Sequence, residues 1–417
     1  MATKTIADIN VSDKRVLMRV DFNCPVADGK VTNDRRIEMA LPTIKKVLDD
    51  GGKLILMSHL GRPSGKGFEP EFSLRPVAAR LGELLGKAVR LGPPEVVSPA
   101  AIEQVSKLSA GEVMLLENLR FTQGETMPDK AKKNPDGKLT AAQQAEMDRL
   151  VAGLAALGDV YVNDAFGTCH RKHASMYGVA QAIRDAGGPV VAGYLVEKEV
   201  RYLHDAVADP ARPFVAILGG AKVSDKIKLI SSLLSKVDRI LIGGAMAYTL
   251  LKAKGFAVGK SLVEEDQIEQ MTKLLADAGE KIVLPRDHVA TDDFASDKAQ
   301  VVYGVNIPDE LMGMDIGGKS AEEFSRIISR AKTILWNGPM GVFERKPYAA
   351  GTAKVATVVA EATDNGAISI IGGGDSAAAV EQMGLDGRMT HVSTGGGASL
   401  TYLEGKAMPP LEVLDRK

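Results

Sequence analysis

The chain has 417 residues, of which 45% are hydrophobic and 25% are charged, and its formal net charge at pH 7 is −1. This composition is typical of a folded globular protein and excludes a disordered chain. The balanced charge excludes a general nucleic-acid binder, because it provides no long-range positive field for a polyanion. The length indicates more than one domain, and we work with two.

The N-terminal residues 1–8 contain no continuous apolar segment, and nowhere do about eighteen apolar residues run together. We therefore predict a cytoplasmic protein with no membrane partner. The two cysteines, Cys24 and Cys169, form neither a disulfide framework nor a metal-ligand pattern. We interpret both as buried free thiols.

Short apolar runs alternate with helical patterns along the first half of the chain. The runs predict strands over residues 15–22, 53–58, 113–116 and 160–163. The segments between them predict helices over residues 38–49, 74–85 and 141–157. Strands separated by helices indicate a parallel α/β sheet, whose ligands bind beyond the carboxyl ends of the strands.

Polar and basic segments follow these four strands. The segments are residues 21–23, 58–63, 117–121 and 164–173, and they contain three of the six histidines. Four such segments on consecutive strand ends predict a concave cationic face suited to a small phosphorylated acid.

Glycine clusters follow the strands of the second half instead. They lie at residues 218–222, 242–245, 371–375 and 394–399. Glycines let the backbone approach an anion, and the free N–H groups of a helix's first turn point at it, so these turns predict a nucleotide polyphosphate site. Asp375 in the third cluster is either a helix cap or a carboxylate that holds an accompanying cation.

The change in character near residues 186–189 predicts a domain boundary. An apolar run over 190–196 follows it, and a helical pattern over 197–207 is interpreted as a rigid connector. Earlier in the chain, the charged and proline-containing residues 124–138 predict an exposed loop, an insertion without chemistry.

Residues Gly313–Ser320 match the P-loop pattern G-x-x-x-x-G-K-[ST] in full. A P-loop leaves directly from a buried strand, whereas the preceding residues 306–310 are polar and contain a proline. We interpret Ser320 and Glu323 as a capping box that opens a helix. A P-loop NTPase is nevertheless kept as an alternative.

The pattern Gly372-x-Gly374-x-x-Ala377 fits the dinucleotide-binding fingerprint. That fingerprint requires an acidic residue about twenty positions later, at the end of the second strand of its unit. Residues 391–394 include no carboxylate. We therefore do not expect a nicotinamide cofactor.

Taken together, the strand-end segments resemble those of phosphoglycerate kinases across nearly the whole chain. The matching runs are residues 20–23, 58–63, 117–121, 164–173, 219–226, 336–344, 372–376 and 393–400. The resemblance implies an α/β fold with two similar-sized domains, each a Rossmann-like parallel sheet flanked by helices, joined by a hinge helix. It implies a 3-phosphoglycerate-binding domain over 1–186, onto which the tail 404–417 packs back, a nucleotide-binding domain over 187–403, and a monomer.

The resemblance also implies the functional residues. The acid-binding set is Asp21, Asn23, Arg36, His59, Arg62, Arg120, His170 and Arg171. Arg36 is preferred to Arg35 because the family's arginine directly precedes an isoleucine, as Arg36 precedes Ile37. The nucleotide-binding set is Gly220, Lys222, Lys226, Gly313, Asn337, Pro339, Glu344, Gly373, Gly374, Asp375 and Ser376. Asp375 is the implied magnesium anchor, and the residues implied to act on the transferring group are Arg36, Lys222, Gly374 and Gly397.

The reaction that this implies is reversible phosphoryl transfer between ATP, bound with Mg²⁺, and the carboxylate of 3-phosphoglycerate. No general base is needed, because a carboxylate is already ionised at neutral pH. Because the two ligand sets lie on different domains, we expect a closure that excludes water. A two-domain binding protein without catalysis is the remaining alternative.

Overall fold

The computed structural model describes residues 3–134 and 136–417. They form two compact units, the first running to Val200 and including Ala407–Lys417, the second comprising Arg201–Lys406. The change in sequence character predicted a boundary after residue 186. The structure keeps residues 187–200 with the first unit because the strand Val190–Ala192 completes that unit's sheet.

The first unit is an α/β layer structure with a six-stranded sheet. Its strands in chain order are β1 (Arg15–Val20), β2 (Val26–Ala27), β3 (Lys30–Val31), β4 (Lys53–Met57), β5 (Val89–Leu91), β6 (Val113–Leu115), β7 (Val160–Asp164) and β8 (Val190–Ala192). Its helices are α1 (Arg35–Asp49), α2 (Arg75–Leu85), α3 (Pro99–Ser106), α4 (Met127–Ala131), α5 (Ala141–Ala155) and α6 (Val179–Asp185). The sheet order is β5-β6-β4-β1-β7-β8 with all strands parallel, and β2 and β3 form a separate antiparallel hairpin.

The four predicted strands are β1, β4, β6 and β7, and the predicted parallel sheet is confirmed. Their apolar residues are buried because helices cover both faces of the sheet, as in other parallel sheets. The central strand β1 pairs with both β4 and β7, and Val20 lies opposite Asp164. The segments that follow these strands therefore leave the sheet side by side.

Residues 124–131 do not form the exposed loop that the sequence predicted, whereas residues 132–134 and 136–138 are mostly exposed, and residue 135 lies outside the described residues. Gly124, Glu125 and Met127 are buried, and α4 begins at Met127. Glu125 accepts hydrogen bonds from the backbone N–H and the hydroxyl of Ser175. The prediction failed there because the charged, proline-containing composition is typical of an exposed loop, whereas the turn at Glu125 packs against Ser175.

The helix α7 (Tyr194–Ala208) runs across the boundary between the units, and the second unit follows it. The strands of the second unit are β9 (Phe214–Leu218), β10 (Arg239–Ile242), β11 (Ile282–Val283), β12 (His288–Thr291), β13 (Gln300–Val302), β14 (Met312–Ile316), β15 (Thr333–Asn337), β16 (Ile368–Gly372) and β17 (His391–Val392). Its helices are α8 (Ile227–Leu234), α9 (Met246–Ala253), α10 (Ile268–Ala278), α11 (Gly318–Ile328), α12 (Ala350–Asp364), α13 (Gly374–Gln382) and α14 (Gly396–Leu403).

Six of these strands form a second parallel sheet in the order β11-β10-β9-β15-β16-β17, and the other three form the antiparallel sheet β13-β12-β14. The central strand β15 carries the fully buried Trp336, whose Nε1–H donates to the carbonyl oxygen of Gly338 at 2.8 Å. Burying a large apolar side chain stabilises a fold by roughly 1.5–3 kcal/mol. Trp336 therefore ties the centre of this sheet to the loop that follows β15.

The C-terminal tail returns to the first unit through α15 (Pro409–Glu412). The backbone N–H of Asp415 donates to Val190 O at 2.8 Å, and the N–H of Lys4 donates to Asp415 O at 2.8 Å. The tail thus lies at the β8 edge of the sheet. In the part of the chain that the structure describes, no helix combines the length and the apolar character that crossing a bilayer requires.

Asp164 is a fully buried carboxyl group at the end of β7. Its Oδ1 accepts hydrogen bonds from the N–H groups of Leu195, at 2.9 Å, and Val196, at 3.3 Å, in the first turn of α7. Burial nevertheless raises the pKa of Asp164 to about 7. Because the folded protein binds this proton more tightly than the unfolded chain, the stability that it provides is lost as pH rises towards about 7.

We predict that Asp164→Asn removes this pH dependence, since the amide keeps an acceptor oxygen and cannot ionise. Between about pH 5 and pH 8 the wild type should lose on the order of 3 kcal/mol of unfolding free energy relative to the variant. Urea unfolding at a series of pH values measures this difference. Asp159→Asn is the control: the hydrogen bond from Arg15 lowers the pKa of Asp159, so this group is ionised in both the folded and the unfolded state above about pH 5, and the curve of this variant should run parallel to that of the wild type. Parallel pH curves for wild type and Asp164→Asn would contradict the prediction.

Candidate functional site

A partly buried ion pair follows the central strand of the first sheet. Arg36, in the first turn of α1, donates from Nη1 to Asp21 Oδ2 at 2.5 Å. His59 Nδ1 lies 3.9 Å from the other carboxylate oxygen, Oδ1. Burial acts to raise the pKa of Asp21, but Arg36, His59 and Arg19 more than offset it, so this pKa lies below its ordinary value. Asp21 therefore stays ionised and fixes the guanidinium of Arg36.

The segment after β4 is held between two predicted site residues. The N–H of Gly61 donates to Asn23 Oδ1 at 2.8 Å, and Arg120 Nη1 donates to Gly61 O at 2.6 Å. Burial, with the charge of Arg19, lowers the pKa of Arg120 to about 10. The next residue, Arg62, is exposed, and no ion pair joins its side chain to the described residues.

The segment after β7 contributes a histidine and an arginine in contact. Arg171 donates from Nε to His170 Nε2 at 3.0 Å and from Nη1 to Asp129 Oδ2 at 3.1 Å. Burial, with the charge of Arg171, lowers the pKa of His170 to about 4. His170 is therefore a neutral imidazole at pH 7.

Seven of the eight predicted acid-binding residues thus form three contacting groups, and Arg62 belongs to none of them. The groups share one electrostatic site, because Arg171 and Asp21 both influence the pKa of Arg120. Two buried nitrogens of this site, Arg120 Nε and His170 Nδ1, have no hydrogen-bond partner among the described residues. A buried donor left unpaired costs roughly 1–3 kcal/mol. Such donors beside several cations indicate that an anion is the missing acceptor.

Three residues that organise this site, Arg19, Glu125 and Asp129, were not predicted from the sequence. Arg19 and Glu125 are fully buried, and Asp129 accepts hydrogen bonds from Arg171 and His173. The one feature of the sequence that could have indicated any of them is Arg19, a basic residue inside the apolar run of β1, immediately before the last residue of the strand.

The strand-end loops of the second unit are packed backbone against backbone. A Cβ atom on Gly219 would lie 1.9 Å from Pro339 O, and one on Gly338, which has φ +101°, would lie 2.1 Å from Gly219 O. Only glycine permits this approach. The two loops therefore place backbone groups at positions that side chains would otherwise occupy.

Lys226 lies beside these loops. Its Nζ donates to Asn337 O at 3.0 Å and to Asn337 Oδ1. Burial lowers the pKa of Lys226 to about 8, and the nearby Asp375 and Asp225 oppose the shift. Asn337 Nδ2 is buried without a partner among the residues described, so this loop also offers an unused donor.

The starts of α13 and α14 touch each other. A Cβ on Gly396 would lie 3.2 Å from the backbone nitrogen of Gly374. Ser376 Oγ accepts a hydrogen bond from the N–H of Gly338 at 2.5 Å, which ties α13 to the loop after β15. Two helix N-termini with free N–H groups at one place are suited to bind a polyphosphate.

The remaining predicted nucleotide-binding residues are spread around these loops. Lys222 and Glu344 are exposed, and no hydrogen bond or ion pair joins their side chains to the residues that the structure describes. Gly220 has φ +120°, and Gly313 packs in β14 against the ring of Tyr248. The other members of the set lie at the strand ends as follows: Pro339 buried after β15, Gly373 as the N-cap of α13, and Gly397 exposed in the first turn of α14.

The P-loop pattern is not a phosphate-binding loop. Its first residues, Gly313 to Ile316, lie inside β14, which leads directly into α11. Residues 306–310, before the pattern, form no strand beyond an isolated bridge at Ile307, as their polar composition indicated. The carboxylate of Asp287 accepts hydrogen bonds from the N–H groups of Lys319 and Ser320 at 2.9 and 2.8 Å. A phosphate cannot bind to N–H groups that are already occupied.

The capping-box prediction for Ser320 and Glu323 was also wrong. Helix α11 begins at Gly318 with Gly317 as its N-cap, so Ser320 lies inside the first turn. Its hydroxyl is hydrogen-bonded to Asp287 at 2.5 Å. The residue that caps the helix is Asp287, which lies in a distant segment and cannot be identified from the spacing of residues near Ser320.

The donor set fits a magnesium ion that arrives with a nucleotide. Asp375 is an exposed carboxylate in the first turn of α13, close enough to influence the pKa of Lys226. Across residues 3–134 and 136–417, no group of three or more His, Cys, Asp and Glu side chains is placed to hold a metal. Mg²⁺ typically uses one or two carboxylates together with substrate phosphates, which matches a single aspartate here.

The neighbours Gly373 and Gly374 provide a test of this site. Gly373 has φ +94°, and a Cβ there would lie 3.0 Å from Asn337 Nδ2, whereas a Cβ on Gly374 would meet nothing within 4 Å. We predict that Gly373→Ala lowers the unfolding free energy by about 1–3 kcal/mol. Gly374→Ala should leave stability unchanged or raise it slightly but weaken polyphosphate binding, because its methyl group occupies the anion's path. Urea unfolding and calorimetric titration with ADP measure both, and equal destabilisation would contradict the prediction.

Comparisons with known proteins agree over the whole chain. The profile of the family described as "Phosphoglycerate kinase" matches residues 6–406. The phosphoglycerate kinases of Rhodopirellula baltica and Lactobacillus delbrueckii subsp. lactis are 52% identical over 419 residues and 50% identical over 417 residues, with 100% of each chain covered.

Two solved structures agree as well. The phosphoglycerate kinase from Coxiella burnetii matches with a TM-score of 0.83 at 37% identity, and that from Pyrococcus horikoshii with 0.81 at 32%. Each alignment covers 99% of this chain and 98% of the other. On this whole-length agreement in sequence and fold, the chain belongs to the phosphoglycerate kinase family.

Proposed function

We propose that the chain catalyses reversible phosphoryl transfer between ATP and the carboxylate of 3-phosphoglycerate, giving ADP and 1,3-bisphosphoglycerate. The observation that carries the proposal is the complementary pair of strand-end sites. Cations and unpaired N–H donors line the site of the first unit, and glycine loops with helix N-termini form the site of the second. Both belong to a chain that matches the family over residues 6–406.

The acid binds to the first unit in this proposal. Arg36 and Arg62 supply positive charge, and Arg120 Nε and His170 Nδ1 are the donors that the anion satisfies. The sequence-implied set of Asp21, Asn23, Arg36, His59, Arg62, Arg120, His170 and Arg171 remains a proposal as a whole. Asp21 and Asn23 hold neighbouring groups in place, because each accepts a hydrogen bond from the site.

The nucleotide binds to the second unit. The N–H groups at the starts of α13 and α14 face the phosphates, and the exposed Lys222 supplies a mobile cation. Lys226 holds the loop after β15 through Asn337 and adds further charge. When Mg²⁺ is bound with the nucleotide, Asp375 holds it, and the ion neutralises part of the phosphate charge.

The chemistry requires alignment and charge stabilisation. The acceptor carboxylate is ionised at neutral pH, so no residue has to remove a proton. Charge develops over the oxygens of the transferring group, where positioned cations and helix N-terminal N–H groups act most effectively. The residues proposed for this task are Arg36, Lys222, Gly374 and Gly397.

A non-catalytic binding protein is the rival function. It would bind 3-phosphoglycerate without dependence on ATP. Formation of ADP from ATP that requires added 3-phosphoglycerate separates the two, and ADP formation without the acid would instead indicate an NTPase. A cytoplasmic location, a monomeric state and the closure predicted from the sequence remain parts of the proposal.

Arg36→Ala tests the acid site. Because Arg36 is proposed to stabilise charge on the transferring group, its removal should lower turnover by about 10² or more while ADP binding stays nearly intact. Arg35→Ala, on the neighbouring residue of the same helix, is the matched control and should retain turnover within about threefold. Near-normal turnover of Arg36→Ala would refute the assignment.

Asp375→Asn tests the magnesium anchor. The change removes one negative charge from an exposed position, so the fold should be unaffected. We expect weaker binding of Mg²⁺–ADP, by about tenfold or more, with 3-phosphoglycerate binding unchanged. Calorimetric titrations with each ligand separately measure this, and ADP without Mg²⁺ is the control. Equal loss of both ligands would indicate misfolding and contradict the prediction.

A further inference from the structure

Arg19 is a fully buried arginine on β1, two residues before Asp21. Its Nε donates to Ser175 Oγ at 2.9 Å, its Nη1 donates to Val20 O, and its Nη2 lies 3.2 Å from Nδ1 of His59. A guanidinium is charged at every accessible pH. Its burial therefore requires an anion nearby.

Asp21 is one such anion, because the charge of Arg19 helps to lower its pKa, and Glu125 is linked to Arg19 through a single hydroxyl group. The carboxylate of Glu125 is fully buried and accepts hydrogen bonds from the N–H of Ser175 at 2.9 Å and from its Oγ at 2.7 Å. The hydroxyl of Ser175 thus donates to Glu125 and accepts from Arg19. Three fully buried groups in series hold the guanidinium beside His59.

The contact with Arg19 determines which nitrogen of His59 carries the proton. Arginine is a donor only, so the facing Nδ1 must present its lone pair and a neutral ring carries its proton on Nε2. Burial holds the pKa of His59 well below its ordinary value. Arg19, Arg120 and His173 lower it further, and Asp21 opposes them. No hydrogen bond joins Nε2 to any residue that the structure describes, so this N–H is available to a ligand.

The same reasoning gives His170 the opposite tautomer. Arg171 donates to its Nε2 at 3.0 Å, so the proton of the neutral ring lies on Nδ1. That nitrogen is buried and has no partner among the described residues. The two rings therefore offer one N–H each, from different nitrogens.

We propose that Arg19 and Arg171 are positioning residues that hold His59 and His170 as neutral imidazoles in opposite tautomers. His59 offers Nε2–H and His170 offers Nδ1–H to the anionic ligand. Glu125, acting through Ser175, keeps Arg19 in the position that this requires. The inference rests on the proposed function only in naming 3-phosphoglycerate as that ligand.

The tautomers are measured directly by nitrogen-15 NMR of the full-length protein with labelled histidine. The ring signals are assigned with His59→Gln and His170→Gln. At about pH 7 we expect His59 to show a protonated Nε2 and an unprotonated Nδ1, and His170 the reverse. A proton on His59 Nδ1 or on His170 Nε2 would overturn the proposal, and so would a fast-exchanging mixture. This readout needs no substrate, so it stands or falls separately from the proposed reaction.

Ser175→Ala tests the connection to Glu125. Loss of the hydroxyl should give His59 a mixed tautomer signal and raise KM for 3-phosphoglycerate about fivefold or more, with KM for ATP unchanged. Ser98→Ala is the matched control, because Ser98 is a buried serine whose hydroxyl caps α3 away from the site. It should lower stability similarly without changing the His59 signals. If the two variants leave His59 equally unchanged, the proposed role of Ser175 and Glu125 is wrong.

Discussion

Parallel pairing at the centre of each sheet is the constraint on which the rest of the structure depends. In the first unit, β1 pairs with β4 and β7, so that Val20 lies opposite Asp164. In the second, β15 pairs with β9 and β16, so that Asn337 lies opposite Gly372. The functional segments leave the sheet at these carboxyl ends, because neighbouring parallel strands end at the same edge. A register shift of one residue would turn every following side chain to the other face.

The anion sites proposed for the two units are built in different ways. The first uses charged side chains: the partly exposed Arg36 pairs with the buried Asp21, and the buried Arg19 is linked to Glu125 through a serine hydroxyl. The second replaces side chains with main chain, because the loops around Gly219 approach so closely that no Cβ fits. A compact acid needs a few convergent donors, whereas an extended polyphosphate needs a row of N–H groups along its length.

Much of the fold could be read from the sequence because its signals are local. Apolar runs that end in arginines or glycines identify strands and their functional ends without knowledge of packing. In the predictions that failed, a residue distant in the sequence determines the local structure. Glu125 lies in a segment whose composition predicts exposure, yet it is buried and accepts hydrogen bonds from Ser175, 50 positions away. The P-loop match fails because Asp287 occupies the helix start. Arg19 contacts a residue 156 positions away, which no local pattern encodes.

The neutral state of His59 and His170 suits the catalytic role proposed for the acid site. Each further fixed cation would bind the reactant acid more tightly as well as the transition state, and uniform tightening does not raise turnover. A neutral N–H group orients the ligand while adding little charge, because a hydrogen bond forms only when the N–H is aligned with its acceptor. Burial and the neighbouring arginines keep His59 and His170 neutral, so the charge in this site comes from arginines. In the proposed function, the arginines attract the acid and the imidazoles orient it.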